Sequence, residues 1–402
     1  MKFLAEAHPT TPKGFAAARH TCGIKASGKP DLALLVSETP CRWTAAFTTN
    51  KVAAAPVLFG RERLAEGKPL RAVLVNSGNA NACTGAEGLE NARKSAAALE
   101  AALGIEAGET IVSSTGIIGH QMPMDKILAG IPQIAKLTAP DGGVEFAEAI
   151  MTTDTHAKHC GAEVAVAGGT VTIGGCAKGA GMIHPRLATM LSYITTDALV
   201  HPEVLEGAFR RGLEKSFNRV SVDGDTSTND TCVLLSNGAA GLPEILPGTP
   251  EAADFETALH AVMTSLAREI ARDGEGATVL VEVKVSGAKS PEQAETVGRA
   301  IVNSPLVKTA VHGADPNWGR VLCAAGYSGG DIKPEQCALT IQDVTVLRRG
   351  TPIDFEAAPL SRSMKGQDVR FHLTLGEGSF ETVFWTCDFS KEYVAINADY
   401  ST

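Results

Sequence analysis

Hydrophobic residues return every three or four positions in four long segments of the chain, and this period predicts amphipathic helices. The segments are residues 87–103, 202–217, 254–272 and 291–303. Their opposite faces carry charged side chains, which is typical of helices that cover a sheet. We therefore expect helical layers packed against β-sheets.

Alternation of apolar and polar residues predicts the strands. Residues 163–166 and 170–173 alternate on either side of Gly168-Gly169, which predicts a hairpin, and residues 278–285 predict a further strand. Apolar residues also alternate over 369–375, and a glycine-containing turn leads to residues 380–387, which predicts a second hairpin near the end of the chain. The expected fold class is α/β, a layered α+β sandwich with mixed or antiparallel sheets rather than a doubly wound parallel sheet.

Composition limits the classes of partner. The 402 residues are 44% hydrophobic and 20% charged, which predicts two domains or two closely packed halves without repeats or linkers. The net charge of −9 disfavours nucleic acid. The chain shows neither an export signal nor an uncharged apolar run long enough for a membrane helix, so we expect a cytoplasmic protein. Nine scattered cysteines without a C-x-x-C pair predict reduced thiols.

The chemically suggestive segment is residues 178–198. Gly179 and Gly181 can let backbone N–H groups converge on one point, and Ala188 precedes a hydroxyl residue, Thr189, at the start of an apolar run. A threonine that becomes a chain terminus has its own α-amine as a general base, with a pKa of about 7.7–8.0. Before cleavage, the same hydroxyl can attack the carbonyl of Ala188. By residue type alone, a threonine that opens a buried strand is far more often a structural feature than a nucleophile.

These residues resemble the signature of the ArgJ family of ornithine acetyltransferases, in which K-G-small-GMIHP, two variable residues, ATML and ITTDA surround a self-cleavage bond. Further resemblance extends over essentially the whole chain, at residues 76–85, 114–119, 151–155, 221–231, 315–320 and 396–400. Arg186-Leu187 departs from the Asn-Met that is common in the family. This departure lies beside the scissile bond, where it can alter the rate of cleavage.

The resemblance implies a role for particular positions. Thr189 corresponds to the nucleophile, Ala188 and Thr189 to the cleavage site, and Thr115 and Gly116 to the oxyanion-hole pair. The substrate-binding positions are Thr152, Lys178, Thr189, Glu275, Asn397 and Thr402. Lys178 and Glu275 suit the charged ends of an amino acid, and which end each one binds is left open.

The resemblance also implies a DmpA/ArgJ-like fold with a single intertwined core. An alpha chain of residues 1–188 and a beta chain of residues 189–402 would share that core, and two of each would associate. The implied reaction moves acetyl from N2-acetyl-L-ornithine to L-glutamate through an acetyl-Thr189 intermediate. It needs no cofactor and no metal, and acetyl-CoA is left open as a second donor.

Two other readings remain open at this point. One is a self-processed aminopeptidase or amidase with an N-terminal nucleophile, in which water resolves the acyl-enzyme and free acetate is the product. The other is a non-catalytic amino-acid-binding protein, which would stay uncut. A G-x-S-x-G pattern at residues 326–330 is interpreted as a glycine-rich turn, because Asp331-Ile332-Lys333-Pro334 does not continue as a helix.

Overall fold

The computed structural model describes residues 1–184, 190–366 and 368–399. Three of the predicted site residues, Ala188, Thr189 and Thr402, lie outside these ranges, as does the Arg186-Leu187 pair.

The first sheet contains nine strands within the described ranges, in the order β1-β6-β7-β8-β9-β3-β4-β5, with β2 paired to β3. The pairs β8/β9 and β4/β5 are parallel and the others are antiparallel, so the sheet is mixed. The long strand β3 joins its two parts, because its first half pairs with β2 and β4 and its second half with β9. The strands are β1 Lys2–Leu4, β2 Phe15–His20, β3 Leu32–Phe47, β4 Leu70–Asn79, β5 Thr110–Ile117, β6 Lys158–Val166, β7 Gly169–Lys178, β8 Leu191–Thr196 and β9 Thr231–Ser236.

The second sheet has the order β13-β12-β11-β14-β10-β15 over the part of the chain that the structure describes. Its strands are β10 Leu280–Ala288, β11 Ala338–Ile341, β12 Val344–Arg348, β13 Thr351–Pro352, β14 Val369–Thr374 and β15 Phe380–Cys387. The predicted hairpin β6/β7 is confirmed. The predicted second hairpin is wrong, because β10 lies between β14 and β15, parallel to the first and antiparallel to the second. Burial explains this arrangement, since Val281, Val283 and Val285 fill the core of this sheet.

The helices confirm the four predicted from the period. They are α1 Ala55–Glu66, α2 Gly85–Leu103, α3 Met124–Ile134, α4 Gly143–Ala149, α5 Pro202–Lys215, α6 Pro250–Arg272, α7 Pro291–Val302, α8 Pro305–His312, α9 Trp318–Gly326, α10 Ala357–Met364 and α11 Lys391–Asp399. Helix α6 begins four residues before the prediction, because the Thr249 side chain accepts a hydrogen bond from the N–H of Ala252. Helices α5 and α6 pack on each other and α6 covers β6 and β7, while α7 covers β10 and β15. In the described ranges, none of the helices has the length and apolarity to cross a membrane. The layered α/β class is confirmed.

Strands β7 and β8 flank the predicted cleavage site. They are antiparallel neighbours, with Lys178 opposite Leu191. Residues from both sides of the site also share one buried cluster, in which Cys176 packs together with Leu191 and Tyr193. The segments before and after residues 188 and 189 therefore belong to one sheet and one core.

Candidate active site

The ends of β5 and β7 meet at one pocket with an empty volume of about 570 Å³, including its open mouth. All of the predicted site residues that the structure describes line it: Thr115, Gly116, Thr152, Lys178, Glu275 and Asn397. They come from positions between residue 115 and residue 397 of the chain. Their individual roles stay predictions, and their convergence on one pocket is a property of the fold.

Thr115 and Gly116 lie at the end of β5, where the parallel pairing with β4 becomes irregular at Gly78 and Asn79. Gly116 has a φ of +131°, and a Cβ at this position would lie 2.4 Å from the backbone carbonyl carbon of Gly78. A side chain at residue 116 is thus excluded by backbone atoms. Thr115 is buried. Its hydroxyl contacts the side chain of Lys178, which lies at the end of β7.

Lys178 is the last residue of β7, and its buried ammonium contacts two hydroxyls. Its Nζ donates to Thr152 Oγ1 at 2.9 Å and to Thr115 Oγ1 at 3.3 Å. When Lys178 is protonated it can only donate, so Thr115 then accepts this bond and keeps its own proton to donate elsewhere. A hydroxyl fixed in this way is the donor that an oxyanion hole requires. Burial lowers the pKa of Lys178, and the nearby Asp154 carboxylate partly offsets this effect.

Buried carboxylates behind the pocket were not identified from the sequence. Asp154 accepts a hydrogen bond from Lys158 Nζ at 2.8 Å and one from the backbone N–H of Gly179 at 2.6 Å. Lys158 also forms an ion pair with Asp273. The N–H of Gly179 is therefore engaged by Asp154, which corrects the interpretation that the glycines of this segment direct their N–H groups together at one ligand. The nearest sequence signal was the position of Asp154 inside the block at residues 151–155.

Glu275 and Asn397 form another part of the pocket wall. Asn397 lies on α11, and its Nδ2 donates to Glu275 Oε2 at 2.8 Å. Gly181 packs against the same carboxyl group, since a Cβ on Gly181 would lie 2.5 Å from the Glu275 Cδ. The backbone N–H of Glu275 donates to the carbonyl of Ala180 at 2.8 Å. A side chain at residue 181 would therefore force the Glu275 carboxyl group to shift.

Asp223 fixes the backbone that leads away from the pocket towards residue 184. Its carboxylate accepts from the N–H groups of Met182 at 2.6 Å and Ile183 at 3.0 Å. Burial raises the pKa of Asp223 to about 6, and the hydrogen bonds from Asp225 and Met182 oppose that effect. Neither residue type nor spacing relates Asp223 to a segment 40 positions earlier, and the nearest sequence signal was its position inside the block at residues 221–231.

A smaller cavity of about 160 Å³ continues from the pocket and is lined in part by Thr115, Lys178 and Met190. The N–H of Met190 donates to Asp230 Oδ1 at 2.9 Å, and its carbonyl accepts from the N–H of Thr231 at 3.0 Å. The residue that follows the predicted nucleophile is therefore held beside the predicted oxyanion-hole threonine. Among the described residues, no group of three or more His, Cys, Asp or Glu side chains is arranged to hold a metal ion.

Comparison with known proteins relates this geometry to a family. The model of the ArgJ family matches residues 16–402. The chain is similar to the arginine biosynthesis bifunctional protein ArgJ of Symbiobacterium thermophilum, with 48% identity over 395 residues that cover 98% of each chain. The protein of the same name from Deinococcus radiodurans is also 48% identical, over 393 residues and 98% of each chain. The crystal structure of ArgJ from Bacillus halodurans matches with a TM-score of 0.52 and 42% identity, covering 53% of this chain and 100% of that one.

Proposed function

This chain belongs to the ArgJ family of arginine-biosynthesis acetyltransferases, and from that membership we propose that it moves the acetyl group of N2-acetyl-L-ornithine to L-glutamate through an acetyl ester of Thr189. The observation that carries the proposal is the position of the Lys178 ammonium between the hydroxyls of Thr152 and Thr115 on the wall of one pocket. Lys178 and Glu275 supply opposite charges to that pocket, as an amino-acid substrate with a carboxylate and an ammonium requires.

The first proposed step is self-cleavage. The Thr189 hydroxyl attacks the carbonyl carbon of Ala188, the amide becomes an ester, and water hydrolyses the ester. The products are an alpha chain of residues 1–188 and a beta chain of residues 189–402, the second with a free α-amine on Thr189. The adjacency of β7 and β8 supports this step, because the two chains remain neighbours in one sheet after the cut.

Acetyl transfer then occurs in two halves. The Thr189 Oγ attacks the acetyl carbonyl carbon of N2-acetyl-L-ornithine, and the α-amine of Thr189 takes the hydroxyl proton and passes it to the leaving amine of ornithine. The amine of glutamate next attacks the acetyl ester and leaves as N-acetylglutamate, which restores the hydroxyl. Thr115 and Gly116 stabilise the oxyanion in both halves, and one such donor contributes on the order of 10²–10³ in rate.

The same Thr189 hydroxyl could attack the thioester carbonyl of acetyl-CoA and release the coenzyme A thiol, which gives the same acetyl ester, so we include acetyl-CoA as a second donor in the proposal. The relatives are named bifunctional, which is in keeping with two donors. The reaction conserves the acyl group and draws on no cofactor. We further propose an assembly of two alpha and two beta chains in the cytoplasm, with Thr402 completing the set of substrate-binding residues.

The test combines an intact-mass measurement with a product assay. Purified wild type should separate under denaturing conditions into two chains that meet between Ala188 and Thr189, while Thr189→Ala stays full length. Thr195→Ala is the matched control, because Thr195 is a buried threonine in the next strand whose hydroxyl bonds the carbonyl of Pro9, and it should still be cut.

Wild type should also form acetylglutamate from acetylornithine and glutamate, with one ornithine released per acetylglutamate. Release of free acetate without acetylglutamate would instead identify a hydrolase. A full-length wild-type chain without transfer activity would contradict both the cleavage and the mechanism, and would favour an amino-acid-binding protein.

A further inference from the structure

Four buried charges form a continuous cluster behind the pocket wall. Lys158 lies between Asp154 and Asp273, and the side chains of Lys158 and Asp154 are both 0% exposed. Lys178 completes the cluster, with its Nζ 3.9 Å from Asp154 Oδ2. Two carboxylates and two ammonium groups balance, so the cluster is neutral as a whole. Burial of charges without such partners would be very costly.

Asp154 is the carboxylate that connects this cluster to residues of the pocket wall. Its Oδ2 accepts from the N–H of Thr152 at 3.1 Å and faces the Lys178 ammonium, while its Oδ1 accepts from the N–H of Gly179 at 2.6 Å. One carboxylate thus holds the backbone of two pocket segments and the cation between them. Asp273 lies at the far end of the cluster, where it binds Thr155 and Lys158.

We propose that Asp154 is a positioning residue for acetyl transfer, which keeps Lys178 protonated and directed at Thr115 so that the Thr115 hydroxyl donates into the pocket. This inference rests on the proposed function, because it takes Thr115 as an oxyanion donor. Asp154 acts through Lys178 and does not itself line the pocket.

The chemical consequence follows from hydrogen-bond direction. A protonated Lys178 can only donate to Thr115 Oγ1, which leaves the threonine proton for the substrate. A neutral amine has a lone pair and can accept that proton, which would remove the donor from the pocket. The protonation state of Lys178 therefore decides whether Thr115 can stabilise an oxyanion.

The surrounding charges support this role. Burial lowers the pKa of Lys178, and Asp154 is the largest of the opposing charges. The other charged groups that act on it are Lys25 from the 22–25 segment, Lys158 from β6, Asp230 before β9, and Glu275 after α6. For Asp154, burial would raise the pKa, but the positive charges of Lys178 and Lys158 outweigh it and hold the pKa well below its usual range.

The experiment compares Asp154→Asn with Asp273→Asn, because both remove one buried negative charge from the same cluster. The readout is the dependence of kcat/KM for acetyl transfer on pH, with rates normalised to the fraction of cleaved protein from intact mass. In Asp154→Asn, the alkaline limb of the pH profile of kcat/KM should shift to lower pH by about 1–3 units. This is the usual effect of an opposite charge at this distance on a pKa. Asp273→Asn should lose about as much thermal stability as Asp154→Asn, but its alkaline limb should stay at the wild-type pH. Asp154→Glu should also keep the wild-type limb, with a lower kcat.

An alkaline limb in Asp154→Asn that coincides with wild type would overturn the proposal. If Asp154→Asn does not fold, the neutral double variant Asp154→Asn/Lys158→Met replaces it. A smaller shift in the same direction is expected there, because Lys158 also lowers the pKa of Lys178; no shift, or an upward one, would overturn the proposal.

A second readout separates this inference from the proposed function. Acetic anhydride labels neutral amines, so the pH dependence of labelling at Lys178, followed by peptide mass spectrometry, reports its protonation without any need for acetyl transfer. The midpoint should fall in Asp154→Asn and stay unchanged in Asp273→Asn. A wild type without transfer activity but with this pattern would reject the proposed function and retain the role of Asp154 in keeping Lys178 charged.

Discussion

Substitution of Gly181 by alanine tests whether the position of the Glu275 carboxylate controls substrate binding. The added Cβ would lie 2.5 Å from the Glu275 Cδ. The side chain of Glu275 must therefore retreat by about 1 Å to reach ordinary van der Waals separation. Such a shift lengthens the 2.8 Å hydrogen bond from Asn397 beyond a useful distance and moves the charge away from the ligand.

We expect Gly181→Ala to weaken substrate binding. A hydrogen bond to a charged group contributes roughly 1.5–3 kcal/mol, which corresponds to a loss in kcat/KM of about 10- to 150-fold. The clash involves the end of a flexible side chain, so the free energy of unfolding should change by less than about 1 kcal/mol. Kinetics with acetylornithine and with glutamate, together with urea unfolding, measure the two effects.

Gly326→Ala is the matched control, because a Cβ at Gly326 meets nothing within 4 Å and the residue, the last of helix α9, does not line the pocket. It should leave both quantities unchanged. If Gly181→Ala has the same kcat/KM as wild type, the position of the Glu275 carboxylate does not control substrate binding and the argument is refuted. A large loss of stability with no separate kinetic effect would show that Gly181 serves the backbone instead.

Gly116→Ala, unlike Gly181→Ala, should destabilise the fold, because its Cβ would lie 2.4 Å from the backbone of Gly78 and φ at residue 116 is +131°. We expect the free energy of unfolding in urea to fall by more than about 2 kcal/mol. A wild-type unfolding midpoint would contradict this. Asp223 has a pKa of about 6 in the fold, above its ordinary 3.8. The folded state therefore binds the extra proton, and wild-type stability should fall as the pH rises from about 4 to above 6, by at most about 3 kcal/mol. Asp223→Asn should lack this contribution, and identical pH dependence in both proteins would exclude it.

The pattern of apolar residues predicted a helix or strand correctly where the evidence lies within that element or the turn beside it. Helix α6 shows its apolar face at every third or fourth residue, and the β6/β7 hairpin is closed by a two-residue turn. Strand pairing over long range was not predictable in this way. Strand β10 lies about 80 residues before β14 and inserts between β14 and β15, and no feature of the intervening turn indicates this insertion. Helix α9 was not predicted, because its nine residues are fewer than the window over which a helical period is counted.

The residues of the candidate site likewise include some that the sequence identified and others that only the structure reveals. Family resemblance identified Thr115, Lys178 and Glu275, and the fold brings them to one pocket. The supporting charges could not be found from the sequence, because Asp154 and Asp273 are 119 positions apart and are joined through Lys158. Their burial, which makes the pairing obligatory, is a product of the tertiary structure.

The neighbouring positions of β7 and β8 also affect how the protein refolds. In an uncut chain the strands around this core belong to one polypeptide, so formation of the core is a unimolecular step whose rate does not depend on concentration. The proposed cut between these strands would turn the same fold into a complex of two polypeptides, each lacking strands that the other supplies to the shared core. Refolding of the processed protein then becomes an association reaction, and its unfolding midpoint rises with protein concentration. Folding before the proposed cleavage would avoid this association step, because the uncut chain holds both halves of the core in one polypeptide.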